Sequence, residues 1–288
     1  MTIQFKKTAL LFAVASALTL GLAGCGDEAK SDVKVIKVGV VGEYNAQWDT
    51  VNQNLAADKL KVELVKYSDY ATPNRALSDK DIDLNAFQHK AFLANDTARN
   101  GYKISSIGDT ILAPLCIFNN KSKIQKIADI RDGDKIAIPA DLTNGGRALK
   151  LLEAAGLIEI DPAKGYVPNK TDITKYNVKI EIVEAESGVL ANLLPDVAAA
   201  VINGGNAFTA KLDPTKDAIF SEDVNPKTNP YLGKLVNIIV ARDADAKNAD
   251  YLKVVKAYQS QNTAQTIKDA YKGAFIPVWA GAADYQLK

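Results

Sequence analysis

Short runs rich in branched apolar residues alternate with amphipathic segments along this chain, and the alternation starts twice. From Val35 onward, "IKVGVV" (36–41), "KVELVKY" (61–67) and "DIDLN" (81–85) have the length and composition of strands. Between them, "QWDTVNQNLAADKL" sets Trp48, Val51 and Leu55 at helical spacing, and "PNRALSD" offers Pro73 as a helix starter. Strands interleaved with helices predict a βαβαβ unit with parallel pairing and right-handed crossovers. A second set opens at "DKIAIP" (134–139) and continues through the helix "GGRALKLLEAA", the strand "VKIEIVEA" (178–185), the helical "SGVLANLL" and the strand "VAAAVIN" (197–203).

Two such sets predict an α/β protein of two lobes. "TILAPLCIFNN" (110–120) and "KLVNIIVAR" (234–242) are long and apolar enough to be the two crossover strands. That assigns 36–114 plus 238–288 to lobe 1 and 115–237 to lobe 2, with the helical segments from Asp250 to Tyr271 packed on lobe 1. The lobes leave a cleft, and clefts of this kind are where small ligands are held. Architecture alone names no ligand.

The N-terminus constrains location. "MTIQFKKTALLFAVASALTLGLAGCG" has Lys6 and Lys7, an apolar run from Thr8 to Leu22 and then small residues, the plan of a secretory signal. Its end, Leu22-Ala23-Gly24-Cys25, resembles the bacterial lipobox, so residues 1–24 read as a lipoprotein signal peptide and Cys25 as the lipidated first mature residue. The polar "GDEAKSDVK" that follows has too little apolar surface to order itself, so residues 25–35 read as a lipid-anchored tether. The expected location is the cell membrane, on the extracytoplasmic side.

Composition excludes several functions. With 47% apolar and 24% charged residues the chain is globular, and 35 Lys+Arg against 34 Asp+Glu give no broad basic field for nucleic acid. Cys116 is left unpaired once Cys25 is lipidated. A single histidine with one free cysteine cannot supply the common zinc sets, and no G-x-S-x-G, H-E-x-x-H or P-loop sequence occurs. No cofactor is implied, and the chain reads as a binding protein and not an enzyme. A Ser–His–Asp arrangement around His89, with a serine such as Ser187, remains open as an exported hydrolase, and Asp81 and Asp83 share a strand face as a solvated pair.

Two stretches carry ligand chemistry. In "IPADLTNGGRALKLLEAAGL" (138–157), Thr143 or Asn144 can cap a helix beginning near Gly145, with Ala148, Leu149, Leu152 and Ala155 as its buried stripe. Its N-terminus would favour an anion, and Arg147 in the first turn could hold a carboxylate through a planar fork; a solvated arginine is the alternative. In "LNAFQHKAFLANDTA", His89 and Phe92 are three apart and share a helix face, with Ala91, Ala94 and Ala98 on the sheet side. Tyr70 and Phe87 could add aromatic walls suited to an apolar or thioether side chain; the alternative is that Phe87 and Phe92 are ordinary core residues and His89 is incidental.

"SDYATPNRALSDKDIDLNAFQHKAFL", "IAIPADLTNGGRALKLLEAAGLI", "VAAAVINGGNAF" and "NPYLGKLVNIIVAR", in this order, resemble the NlpA/MetQ lipoproteins, the substrate-binding components of methionine ABC importers. The resemblance implies a type II periplasmic-binding-protein fold, capture of methionine between the lobes, and delivery to a permease driven by a cytoplasmic ATPase. It implies a side-chain pocket of Tyr70, Phe87, His89 and Phe92, a carboxylate contact at Arg147, and head-group contacts at Asn203 and Asn237. Asn206 lies in the same stretch as Asn203, and both Asn206 and Phe92 stand where many members carry tyrosine. The first loop, "GEYNAQWDTV", lacks a Pro-His-Ala stretch found in many members. Methionine of either hand, a methionine-containing dipeptide or another small amino acid fits the pattern.

Overall fold

A computed structural model describes residues 33–43 and 45–279. The expected signal segment and Cys25 lie outside the described residues, as does most of the expected tether. Among the described residues no helix is long and apolar enough to cross a membrane.

The chain runs β1 (Lys34–Val41), α1 (Gln47–Leu55), β2 (Leu60–Tyr67), α2 (Thr72–Ser78), the two-residue β3 (Leu84–Asn85), α3 (Lys90–Asn100) and β4 (Ile104–Leu112). It continues through β5 (Leu115–Asn119), β6 (Lys135–Pro139), α4 (Leu142–Ala154), β7 (Ile158–Ile160), β8 (Ile173–Tyr176), β9 (Glu181–Ala185) and β10 (Ala199–Asn203). α5 (Gly204–Thr209), β11 (Ala218–Ser221), α6 (Leu232–Leu235), β12 (Val236–Arg242), α7 (Ala249–Tyr258), α8 (Gln261–Ala270) and β13 (Ile276–Pro277) complete it. The expected helix at 187–194 is a 3-10 helix, Ser187–Leu193.

The strands form a six-stranded sheet, β13-β4-β12-β3-β1-β2, a five-stranded sheet, β11-β5-β10-β6-β9, and the small β7-β8 pair. The α/β class read from the alternation is what the chain adopts. β1 pairs in parallel with β2 and β3, and β6 with β9 and β10, as βαβ units require. The strands next to the crossings pair antiparallel: β4 and β3 with β12, and β5 with β10 and β11. Each sheet is therefore mixed.

Two details of the crossings differ from the periodicity. The apolar run 110–120 is two strands, β4 and β5, interrupted at Ala113–Pro114. Pro114 has no N–H to give a ladder and restricts Ala113, so the chain turns there from one sheet into the other. In the return run, Lys234 and Leu235 belong to α6, because Leu232 and Leu235, three apart, both bury against Leu112 and Val236. β12 then lies wholly in the six-stranded sheet.

Apolar layers sit on both faces of each sheet. Trp48, Val51 and Leu55 of α1 pack with Val38 and Val40 of β1 and with Val254, Tyr258 and Ile267 of the C-terminal helices. Leu77, Ile82 and Leu93 cover the opposite face. In the five-stranded sheet, Leu149 and Leu152 of α4 cover Ile136 and Val201, while Leu190 and Ala207 meet Phe118 and Ile202 behind it. Burial of one such large side chain contributes about 1.5–3 kcal/mol, which fixes the strand ends that carry the polar residues described next.

Candidate functional site

One cavity lies where the ends of β1, β3, β10 and β12 meet the starts of α3, α4 and α5. Tyr70, Phe87, His89, Phe92, Arg147, Asn203, Asn206 and Asn237 all line it. Its volume of about 90 Å³ is several times the ~10–15 Å³ that one trapped water requires.

One wall is aromatic. Tyr70, Phe87 and Phe92 form a triangle with ring centroids 5.9–6.0 Å apart, two of the three contacts edge-to-face. His89 meets Phe92 edge-on at 6.3 Å. These separations suit rings that attract through edge and face, and they leave π-faces for an apolar chain or a sulfur atom. Burial pushes the Tyr70 phenol above its usual range, helped by the Asp141 charge, so its oxygen stays neutral and accepts from Asn206 Nδ2 at 3.1 Å.

His89 lies just outside the helix that was expected to carry it. It is the N-cap of α3, with its Nδ1 accepting from the Phe92 backbone N–H at 3.0 Å. Of the predicted sheet-facing alanines, Ala94 and Ala98 are exposed and Ala91 is half-buried, while Leu93 makes the contact. The helix starts at Lys90, and Leu93 is its one buried residue. Since Nδ1 accepts, the ring proton is on Nε2, which donates to Asn144 Oδ1 at 3.3 Å. Burial, with the nearby Arg147 charge, lowers the His89 pKa to about 3, so the ring is neutral at physiological pH. Its nitrogens are thus engaged by a backbone amide and a side-chain amide, and neither meets a hydroxyl or carboxylate in the way a hydrolytic base would.

α4 also begins earlier than its glycines suggest. Asp141 is the N-cap and accepts from Asn144 N at 2.9 Å, so the helix opens at Leu142 and Arg147 lies in its second turn. The carboxylate of Asp141 occupies the position at which a ligand anion was expected; a cap directly before apolar Leu142 was legible in the sequence and Thr143 or Asn144 were read in its place. Of the expected stripe, Ala148, Leu149 and Leu152 are buried and Ala155 is only half-buried, with Leu151 buried in addition.

The Asp141 carboxylate can only accept, and this orients a series of amides. Asn144 Nδ2 donates to it at 3.0 and 3.1 Å, turning Asn144 Oδ1 toward His89 and Asn203. Asn203 Nδ2 donates to that oxygen at 2.9 Å. Asn203 Oδ1 is then left buried with no partner. An orphaned buried acceptor costs about 1–3 kcal/mol, and here it sits on the cavity wall.

Arg147 is buried and held from behind. Its Nε donates to Glu222 Oε1 and its Nη2 to Ala113 O, each at 2.8 Å, and Nη2 also bonds Glu222 Oε2. Burial opposes its charge, but the Glu222 carboxylate more than offsets this and keeps the guanidinium protonated. Only the Nη1 edge remains for the cavity, so one carboxylate oxygen, and not a full fork, is what Arg147 can hold.

Asn237 also lines the cavity, its backbone bridged to His89. Asn144, Gln47 and Asn45 line the cavity too and were not assigned to it from sequence. Gln47 is reached by a buried bond from Tyr271 Oη at 2.6 Å, a contact across 224 residues that no local pattern could reveal. Among the described residues no cluster of three or more metal-ligating side chains occurs.

Several contacts join the halves built on the two sheets. Besides Tyr70–Asn206 and His89–Asn144, Glu43 N donates to Thr209 Oγ1 at 3.2 Å and Lys272 pairs with Asp213 at 3.0 Å. Gly188 approaches Ser68 so closely that a Cβ there would lie 2.5 Å from its carbonyl oxygen.

Known proteins match this chain along most of its length. The family model described as NlpA lipoprotein matches residues 36–279. A probable D-methionine-binding lipoprotein MetQ of Vibrio cholerae is 38% identical over 278 residues, covering 96% of this chain and all of that protein. The D-methionine-binding lipoprotein MetQ of Escherichia coli K12 is 39% identical over 285 residues, covering 97% of this chain and all of its own. Among solved structures, a nutrient-binding protein from Burkholderia cenocepacia bound to methionine superposes with a TM-score of 0.78 at 35% identity, covering 84% of this chain and 99% of that one. With the family model spanning nearly the whole described fold and two full-length relatives agreeing with it, the chain belongs to the NlpA lipoprotein family.

Proposed function

We propose that this protein is the capture component of an ABC importer and holds methionine in the cavity between its two sheets. The observation that carries this reading is a pair of polar groups on the cavity wall: the Asn203 Oδ1 acceptor, buried with no partner, and the Arg147 Nη1 donor, left over when Nε and Nη2 bond Glu222 and Ala113. A zwitterion supplies the complement of both, an ammonium for the amide oxygen and a carboxylate for the guanidinium. The triangle of Tyr70, Phe87 and Phe92 then takes the side chain, with His89 as a neutral wall. Relatives that bind methionine support the choice of side chain. Asn206 holds the Tyr70 ring in place, and Asn237 completes the head-group wall.

In this reading the halves act as lobes hinged at Ala113–Pro114 and at the segment before α6. A ligand that touches both selects the closed form by its extra contacts. Cys25 carries the lipid that keeps the protein beside the permease, on the extracytoplasmic face, while the ATPase works from the cytoplasm. No catalytic step is assigned to the protein.

The test is mass spectrometry of small molecules released on denaturing the purified protein, followed by calorimetric titration of the stripped chain with L- and D-methionine, methionine-containing dipeptides and other small amino acids. The proposal expects release of intact methionine and one binding site per chain. Release of a different amino acid or a dipeptide would replace the ligand; hydrolysis of an ester or peptide, abolished in His89→Ala, would replace the capture role with the hydrolase one.

A further inference from the structure

Glu222 stands behind Arg147, outside the cavity, and neither its position in "FSEDVNP" nor any local pattern ties it to the binding wall. Four donors converge on its carboxylate: Arg147 Nε and Nη2, Leu115 N at 3.2 Å and Tyr166 Oη at 3.5 Å. Side-chain exposure is 3% for Arg147 and 9% for Glu222, so the two charges compensate each other out of reach of bulk water. The arrangement does two things. It commits the Nε/Nη2 edge of the guanidinium, leaving Nη1 alone to the cavity. It also cancels the charge of the buried cation, so that the Arg147–Glu222 pair is net neutral.

We propose that Glu222 is a positioning and specificity-determining residue that restricts the cavity to net-neutral ligands, so that a carboxylate is accepted only when it brings its own ammonium. This deepens, and rests on, the amino-acid reading above. A lone buried guanidinium would attract any carboxylate of suitable size. With Glu222 bonded to its far edge, an incoming carboxylate also meets a second carboxylate a few ångströms beyond, through an interior that screens poorly. A zwitterion offsets that repulsion by setting its ammonium against Asn203 Oδ1, the acceptor left open on the same wall. An anion of the same shape has nothing to set there and leaves the orphaned acceptor unmet. Selection against anions then comes from the pair as a whole, and not from Arg147 alone.

The test compares methionine with its deaminated analogue, which keeps the thioether and the carboxylate, by calorimetry and competition on the stripped full chain at neutral pH. The readout is the ratio of the two dissociation constants in wild type, Glu222→Gln and Glu222→Asp. Glu222→Gln keeps the size and an acceptor oxygen but removes the charge, and it is expected to narrow the ratio by about tenfold or more in favour of the analogue. Glu222→Asp keeps the charge and is expected to hold the wild-type ratio even where both affinities fall. Glu222→Asn replaces the Gln protein if melting shows that protein unfolded. A neutral variant whose ratio stays within twofold of wild type overturns the proposal, as does an Asp variant that narrows the ratio as much as the neutral one. Such an unmoved ratio in the variants, with wild type binding methionine, sinks this inference alone; wild type that gives no methionine binding sinks the amino-acid reading beneath it.

Discussion

His89 illustrates how much at the level of one residue follows from its partners. Its Nδ1 caps α3 and its Nε2–H meets Asn144, so the ring works as a fixed neutral wall. The folded pKa of about 3 lies below the ordinary value of 6.5, so protons bind the unfolded chain more readily between those limits. Stability contributed by the neutral ring is fully present above pH 6.5 and is lost as the pH falls toward 3. Denaturant unfolding at pH 7 and pH 5.5 should show a loss of about 1 kcal/mol in wild type that is missing in His89→Gln. Arg147 makes a stronger prediction. Arg147→Ala leaves Glu222 buried without its counter-charge, which should destabilise the fold by about 3–5 kcal/mol, and methionine binding should weaken severely in the protein that remains folded. Unchanged affinity by calorimetry would remove Arg147 from the site. Its place after a strand and beside two glycines suggested a cleft position for Arg147, and it lines the cavity. Glu222 was not legible, because 75 residues separate it from Arg147 and nothing in its neighbourhood marks it.

α4 is the element that sets most of the polar wall. Asp141 caps it and orders Asn144, and Asn144 in turn orders His89 and Asn203. Its two internal glycines allow close packing. A Cβ on Gly145 would lie 2.8 Å from Pro139 O, and one on Gly146 would lie 2.9 Å from Val167 Cα. Gly146→Ala should therefore push α4 off the 167–168 segment, at a cost of about 1–3 kcal/mol, and displace Arg147 with it. Thermal melting and methionine titration of that variant should both fall; an unchanged pair of values would show that the contact relaxes without moving the helix. Elements were read correctly where periodicity was strong, as in α1, whose Trp48, Val51 and Leu55 are all buried. Their ends were misread where a cap or a proline decided them. Asp141 moved the start of α4, His89 moved the start of α3, and Pro114 split an apolar run into β4 and β5.

Across the whole molecule, the alternation of strands and helices foretold two α/β sets and the parallel pairs among β1, β2 and β3 and among β6, β9 and β10, but not the antiparallel strands beside the crossings that make each sheet mixed. The cavity between them was legible only as an expectation, since its lining comes from elements far apart in the chain, from Val41 of β1 to Asn144 and Arg147 of α4 and Asn237 of β12. Closure of the halves makes its own prediction at Gly188, where a Cβ would strike Ser68 O. Gly188→Ala acts as a wedge at this seam. Methionine affinity should fall about tenfold or more, while the unliganded protein, free to open, should keep its stability within about 0.5 kcal/mol. Small-angle scattering should show wild type contracting with methionine and the wedge variant contracting less. The most direct measurement is a crystal structure of the stripped protein soaked or grown with methionine. It should place the ligand carboxylate on Arg147 Nη1, the ammonium on Asn203 Oδ1 and the thioether among Tyr70, Phe87 and Phe92. Methionine bound elsewhere, or lying in this cavity with Arg147 Nη1 and Asn203 Oδ1 both untouched, would contradict the account.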